Sequence, residues 1–185
     1  MNSWFETHEG TWKRIWDTLG RGVADAKHPA RRPTLATDSP QGLPEARTVV
    51  LRHADRTDAT VSLHTDLFSD KIKSLRQTPH VALHVWDARQ NLQIRLQAEV
   101  QIKSGPPTRA LWDKIPDHAQ QSYGVTPPPG VPIEEALAYV KQPDPATFAV
   151  IDCAVTTIDA VHLGENHRRC SFSRARHWHG QWLSP

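Results

Sequence analysis

Apolar and polar positions change their spacing several times along the chain, and each change marks a structural element. Trp4, Phe5, Trp12, Ile15, Trp16 and Leu19 recur at roughly helical intervals, which predicts an amphipathic helix over residues 1–22 ending near Gly20–Gly22. A polar, proline-bearing stretch from Ala26 to Ala46 follows, with room for a short strand at Thr34–Thr37. From Arg47 the pattern becomes that of strands. Arg47–Asp55 reads as one strand, Arg56–Thr60 as a turn, and Val61–Asp66 as its antiparallel return. A short helix is predicted after Phe68, with Ser69 or Asp70 as N-cap and Pro79 past its end. His80–Ala88 and Leu92–Ile102 alternate as a strand pair about the polar turn Arg89-Gln90-Asn91. Residues 106–124 read as helical until Pro116 interrupts, Pro127–Pro129 form a rigid connection, and Ile133–Lys141 reads as a further helix. Phe148–Gly164, Arg168–Arg174 and a last strand within 177–185 complete the set. Six or seven consecutive strands with inserted helices predict an antiparallel, mainly β member of the α+β class, a barrel or sandwich rather than a doubly wound sheet.

Composition narrows the function classes. At 185 residues the chain suits a single domain (1–185) with an N-terminal helix and a helical excursion at 105–142. Only 38% of residues are hydrophobic, and seven Trp supply large apolar areas that offset this. Basic and acidic residues are interleaved and the formal charge is +2, so no nucleic-acid partner is expected. No apolar run reaches the roughly 20 residues of a membrane-spanning helix. The first residues carry acids and no long apolar core, unlike a secretory leader. Two cysteines, Cys153 and Cys170, are too few for a disulfide framework. A cytoplasmic protein without membrane partners is the expectation.

Candidate chemistry is sparse. His64, His80 and His84 lie in or beside strands, and His177 and His179 flank Trp178, where a regular strand would point both imidazoles to one face. Without a third ligand at fixed spacing, solvated or packed histidines are the simpler reading, and no metal site is expected. Cys153 reads as a small core residue; the arginines before Cys170 would lower its thiol pKa. Nucleophile-elbow, dinucleotide and Walker motifs are absent from the sequence. One cluster stands out. Arg47 and Arg52 bracket a strand, the return strand ends in His64-Thr65, and Ser69 and Lys71 open the next helix. A helix N-terminus with hydroxyls and cations suits a phosphate. On pattern alone an ordinary capped helix with surface charges is the simpler reading, and an anion cradle the alternative.

These residues resemble the pyridoxamine 5'-phosphate oxidase-like, FMN-binding split-barrel family. Arg47-Thr48-Val49-Val50-Leu51-Arg52 matches the family's first flavin segment, an Arg, an apolar strand and a basic residue. His64-Thr65-Asp66-Leu67-Phe68-Ser69-Asp70-Lys71 fits the second, Thr78–Leu83 resembles the strand opening that follows it, and Gln93 stands where the family places a flavin-contacting Gln. The resemblance covers about a third of the chain and implies a Greek-key split barrel with inserted helices. It implies FMN as cofactor, with Arg47, Thr65, Ser69 and Lys71 around its phosphate. Backbone groups of Val49 to Leu51, with Gln93, would face the ring. It further implies a homodimer with flavin at the interface, Arg169 reaching the partner's flavin, and a small-molecule substrate. Asp70 departs from the pattern, putting an acid where the family carries a cation. The family's substrate-phosphate positions fall on Leu111, Ile115 and Ala119, none able to hold a phosphate, and its substrate Arg-x-His is Glu165-Asn166-His167 here. The resemblance therefore implies an FMN-dependent oxidoreductase on an unidentified small molecule. The alternative is a non-catalytic flavin sensor or carrier; pyridoxamine 5'-phosphate oxidation fits less well. No general base is assigned; His64 beside the flavin and His167 near the substrate side are the candidates, each with a purely packing role as the alternative.

Overall fold

The computed structural model of the chain describes residues 3–185. A single turn at Trp4–Glu6 leads into helix α1 (His8–Ala24), whose start is fixed by Thr7, its hydroxyl accepting from Gly10 N–H at 3.0 Å. Ile15, Trp16 and Leu19 form the buried stripe of α1. Gly22 lets the helix approach Ala30 so closely that a Cβ there would sit 2.6 Å from the Ala30 carbonyl carbon.

The strands are β1 (Thr34–Asp38), β2 (Pro44–Thr48), β3 (Leu51–Asp55), β4 (Thr60–Asp66), β5 (His80–Asp87) and β6 (Leu92–Ser104), with helix α2 (Asp70–Gln77) between β4 and β5. After β6 come the single-turn helices α3 (Arg109–Trp112) and α4 (Asp117–Gln120) and a two-stranded ribbon, β7 (Val125–Thr126) and β8 (Val140–Lys141). Strand β9 (Phe148–His162), β10 (Arg168–Ser173) and β11 (Gln181–Leu183) finish the chain. All pairings are antiparallel, in the order β2-β1-β5-β6-β9. The long β9 is shared: its first half pairs with β4, which carries β3, and its second half with β10, which carries β11. Consecutive in sequence, β2 and β3 thus belong to opposite margins of the sheet. This is an antiparallel split barrel, with α1 against β3 and α2 against β1. Leu35, Leu63, Leu83, Ile94, Ile151 and Phe172 fill its interior, and Trp112, Tyr123, Phe148 and Val150 form a smaller core under the excursion.

Four expectations change. Residues 47–55 are not one strand: the ladder breaks at Val49-Val50, where Val49 N–H donates to Pro33 O and the Arg31 guanidinium to Leu51 O. The first bond extends the β1–β2 register by one residue; after it the chain leaves β1, and from Leu51 it pairs with β4. Residues 133–141 are not a helix. The segment lies on the surface with Leu137 and Val140 exposed, so an isolated turn has no packing to offset the cost of nucleation. The excursion at 105–142 holds only single helical turns and the short ribbon, interrupted by its prolines. Residues 177–179 form a turn, with His177 and Trp178 at φ of 49° and 64°, so the two imidazoles do not share a strand face.

Candidate functional site

At the open end of the barrel, β4 runs into a tight turn and α2. Asp66 sets this turn: Oδ1 accepts from Phe68 N–H at 2.8 Å and Oδ2 from Gly124 N–H at 3.0 Å, with the carboxylate buried. The same bonds therefore tie the excursion to the turn. Ser69 occupies the N-cap position of α2, yet its hydroxyl caps nothing; it faces Thr65 Oγ1 at 3.1 Å. Thr65 also accepts from Lys71 Nζ at 2.9 Å. Burial pushes the Lys71 ammonium below its usual pKa, and Arg47 pushes it further, with Asp66 and Asp70 opposing. Arg47 comes from β2, where it donates to Thr37 Oγ1 and pairs with Glu45. A half-buried cation beside a second cation, two hydroxyls and an uncapped helix start together form a site that favours an anion. These four residues fit the phosphate of FMN.

Asp70, the acid in this shell, is engaged elsewhere. Its carboxylate pairs with Lys73 at 2.8 Å and packs on Gly130, where a Cβ would come within 2.6 Å of Oδ2. Gly130 has φ +89°, so glycine serves both conformation and space there.

The neighbouring His64 points to the opposite face of β4, because successive strand residues alternate. There it meets the Phe148 ring edge-on at 5.0 Å. Burial lowers its pKa to about 4, and Arg52 adds to the shift while Asp152 opposes it. Arg52 lies near Tyr123, whose phenol pKa is raised by burial while the Arg52 charge opposes the shift; the Arg52 Nε is buried without a hydrogen-bond partner among the described residues. Arg52 and His64 thus form a group distinct from the Arg47–Lys71 cradle, on the other side of the same strand.

Gln93 and Arg169 occupy a third location. Trp86, Gln93, Val161 and Arg169 are direct cross-strand partners across β5, β6, β9 and β10, so their side chains share the outward sheet face. Asp159 holds Arg169 at 3.0 Å and 2.9 Å through Nε and Nη2, and Arg95 at 3.2 Å. The hydrogen bonds to Asp159 raise the Arg169 pKa. No hydrogen bond or ion pair among the described residues connects this face to the cradle within one chain. Thr48, Val49, Val50 and Leu51 lie at the β2–β3 break, where Val49 N–H and Leu51 O already have protein partners.

The remaining candidates are inert or structural. Cys153 is buried with its thiol pushed up to about 12. Cys170 is also raised, to about 11, because burial outweighs the Gln181 backbone contact and Arg176; the sequence expectation of a lowered pKa is corrected. No group of three metal-ligating side chains occurs among the described residues. Sequence reasoning missed Asp66, Tyr123 and Asp159. Asp66 was detectable as an Asx-turn former before Leu67-Phe68, whereas the other two gain their roles only from pairing register.

A model of the pyridoxamine 5'-phosphate oxidase, FMN-binding domain matches residues 11–104, from α1 to the end of β6. A pyridoxine/pyridoxamine 5'-phosphate oxidase of Chromohalobacter salexigens is 34% identical over 87 residues; the match spans 47% of this chain and only 40% of that protein. Among solved structures, a pyridoxamine 5'-phosphate oxidase-related, FMN binding protein of Nostoc punctiforme superposes with a TM-score of 0.78 at 25% identity, covering 94% of this chain and 96% of its own. PhzG of Burkholderia lata, solved with tetrahydrophenazine-1-carboxylic acid, superposes with a TM-score of 0.73 at 19% identity over 95% and 91% of the two chains, a likeness of fold. The family model covers more than half of the chain and carries the cradle, the Arg52–His64 group and Gln93. The chain belongs to the pyridoxamine 5'-phosphate oxidase FMN-binding domain family.

Proposed function

We propose that this chain binds FMN and acts as a flavin-dependent oxidoreductase on a small molecule. The observation that carries the reading is the Lys71–Thr65–Ser69 constellation, where a half-buried ammonium near Arg47 faces hydroxyls at the uncapped start of α2. A phosphate monoester placed there would receive charge-assisted hydrogen bonds from Lys71 and Arg47 and neutral ones from the two hydroxyls. When bound, FMN supplies the redox chemistry, exchanging hydride or electrons at its ring. The chain's own residues anchor and orient it: the cradle holds the phosphate, and Gln93 and Arg169 offer polar contacts on the outward sheet face. A second copy of the chain lying against that face would bring these contacts to a neighbouring cradle, which makes a homodimer with flavin at the interface part of the reading. Arg52 and the neutral His64 would border the flavin beside β4. His64, held neutral above about pH 4, is able to accept a proton but is half-buried and carries no hydrogen-bond partner among the described residues.

Vitamin B6 phosphate is disfavoured as substrate. Leu111 is exposed and Ile115 packs on the smaller core, so neither can balance a buried phosphate. A second reading, a passive flavin carrier or sensor, draws on the same missing substrate contacts and on Asp70.

The deciding experiment is direct. Purified protein is titrated with FMN, and the loaded protein is then mixed with NADPH or NADH and re-exposed to oxygen. Saturable binding at micromolar FMN is expected, with reduction and reoxidation faster than those of free FMN. A protein that stays colourless and does not bind FMN overturns the reading; binding without accelerated turnover leaves the carrier.

A further inference from the structure

The outward sheet face holds a second collection of cations that the cradle does not use. Beside the row containing Gln93 and Arg169 runs a second, His84–Arg95–Asp159–Ser171, and beside that a third, Ala82–Gln97–Thr157–Ser173. Ala82 has no side chain beyond Cβ, and a hollow of about 270 Å³ opens here, bounded by Arg95, Gln97, Ser171, Ser173 and Arg176. Its hydrogen-bond polarity is one-sided. Gln97 Oε1 accepts from Thr157 at 2.7 Å, which leaves the amide N–H groups as its free donors. Ser171 Oγ accepts from Arg176 at 3.1 Å, so its own proton remains to donate. The one acid in the hollow, Asp159, is already shared between Arg95 and Arg169. Two guanidinium groups therefore share a single carboxylate, and a third, that of Arg176, lines the same hollow with only Ser171 as its partner.

We propose that this hollow, walled by Arg95, Arg176, Gln97 and Ser171, is an oxyanion subsite that takes the carboxylate or phosphate group of the substrate. Planar guanidinium donors match either group in bidentate fashion. The site offers what positions 111, 115 and 119 lack, and it adjoins Gln93 and Arg169 on the same face. Its role in substrate binding rests on the flavin reading; its affinity for an oxyanion does not. The substrate class is thus a small anionic compound whose charged end lies on the sheet rather than under the excursion.

The test is calorimetric titration of the full chain with inorganic phosphate and with benzoate at constant ionic strength. Wild type is compared with Lys71→Ala, which removes phosphate binding at the cradle, and with the double variant Arg95→Gln/Arg176→Gln. At least one anion should bind saturably to wild type, keep its affinity in Lys71→Ala, and bind about tenfold or more weakly to the double variant. Benzoate alone points to a carboxylate substrate and phosphate alone to a phosphorylated one. Equal affinity in wild type and double variant, or no saturable binding of either anion, overturns the proposal. FMN titration of the same three proteins separates the two ideas, since the flavin reading requires Lys71→Ala, not the double variant, to lose FMN.

Discussion

The cradle and the outward sheet face present cations in opposite ways. In the cradle, Lys71 is half buried, bonded to Thr65, and drawn from residues that lie within one turn and one helix start. On the sheet face, Arg95 and Arg169 are more open, share Asp159 as counterion, and come from strands far apart in sequence. Burial makes the first set costly without an anion and strongly rewarding with one; the shared Asp159 makes the second set tolerant of either state. An anchor and an exchange site call for these two temperaments respectively.

The largest expected effect tests that contrast directly. Lys71→Ala removes a charge-assisted donor from a partly desolvated site, and should weaken FMN binding by about ten- to a hundredfold. Arg169→Gln removes a partly exposed cation already satisfied by Asp159, and should weaken it by about threefold or less. Fluorescence titration of FMN with the two variants measures both. Equal losses would erase the distinction drawn between the regions.

That distinction also explains what was legible in the sequence. The turn and helix start that carry Thr65, Ser69 and Lys71 were readable because they leave a local pattern, but pattern alone favoured an ordinary capped helix, and the anion cradle entered only with the family resemblance. The barrel class was readable through strand alternation. The break at Val49-Val50 was not, because the partners that take over after it, Arg31 on Leu51 O and β4 along β3, meet it only in the folded chain. The rows across β5, β6, β9 and β10 depend on register, and nothing local makes Arg95 the partner of Asp159. The helix expected at 133–141 failed on packing: its apolar residues had periodicity but no surface to bury against.

A second test uses pH to separate the faces of β4. His64 has a folded pKa of about 4, below the ordinary value near 6.5. The unfolded chain therefore takes up its proton first as pH falls. The stabilising contribution of neutral His64 is complete above about pH 6.5 and is lost progressively toward pH 4. Replacing it, His64→Gln, should flatten the fall in melting temperature across that window, while FMN affinity at pH 7.5 changes little. The protonation of Lys71 moves the other way. Its lowered pKa means the ammonium, and with it the cradle's hold on phosphate, is lost at a less alkaline pH than for an exposed lysine. FMN affinity should fall at high pH in wild type and show a weaker decline in Lys71→Ala.

Asp70 provides the finest discrimination. Its carboxylate sits at the helix start that the phosphate would approach, but it is exposed, paired with Lys73 and packed on Gly130. Two opposing consequences follow from Asp70→Asn. Removing a negative charge near the phosphate strengthens binding, whereas an acid at a helix N-terminus favours α2 itself, by roughly 0.3–1 kcal/mol. Because Lys73 and solvent already screen the carboxylate, the electrostatic gain should be small, about two- to threefold in FMN affinity, with a slightly lower melting temperature. Raising the salt concentration should shrink both the gain and the stability loss, since both are electrostatic and Asn keeps the shape that packs on Gly130. A gain of more than tenfold would mean that Asp70 faces the phosphate directly and that the cradle of this chain is weakened at its centre; no gain at any salt concentration would mean that Lys73 neutralises it completely.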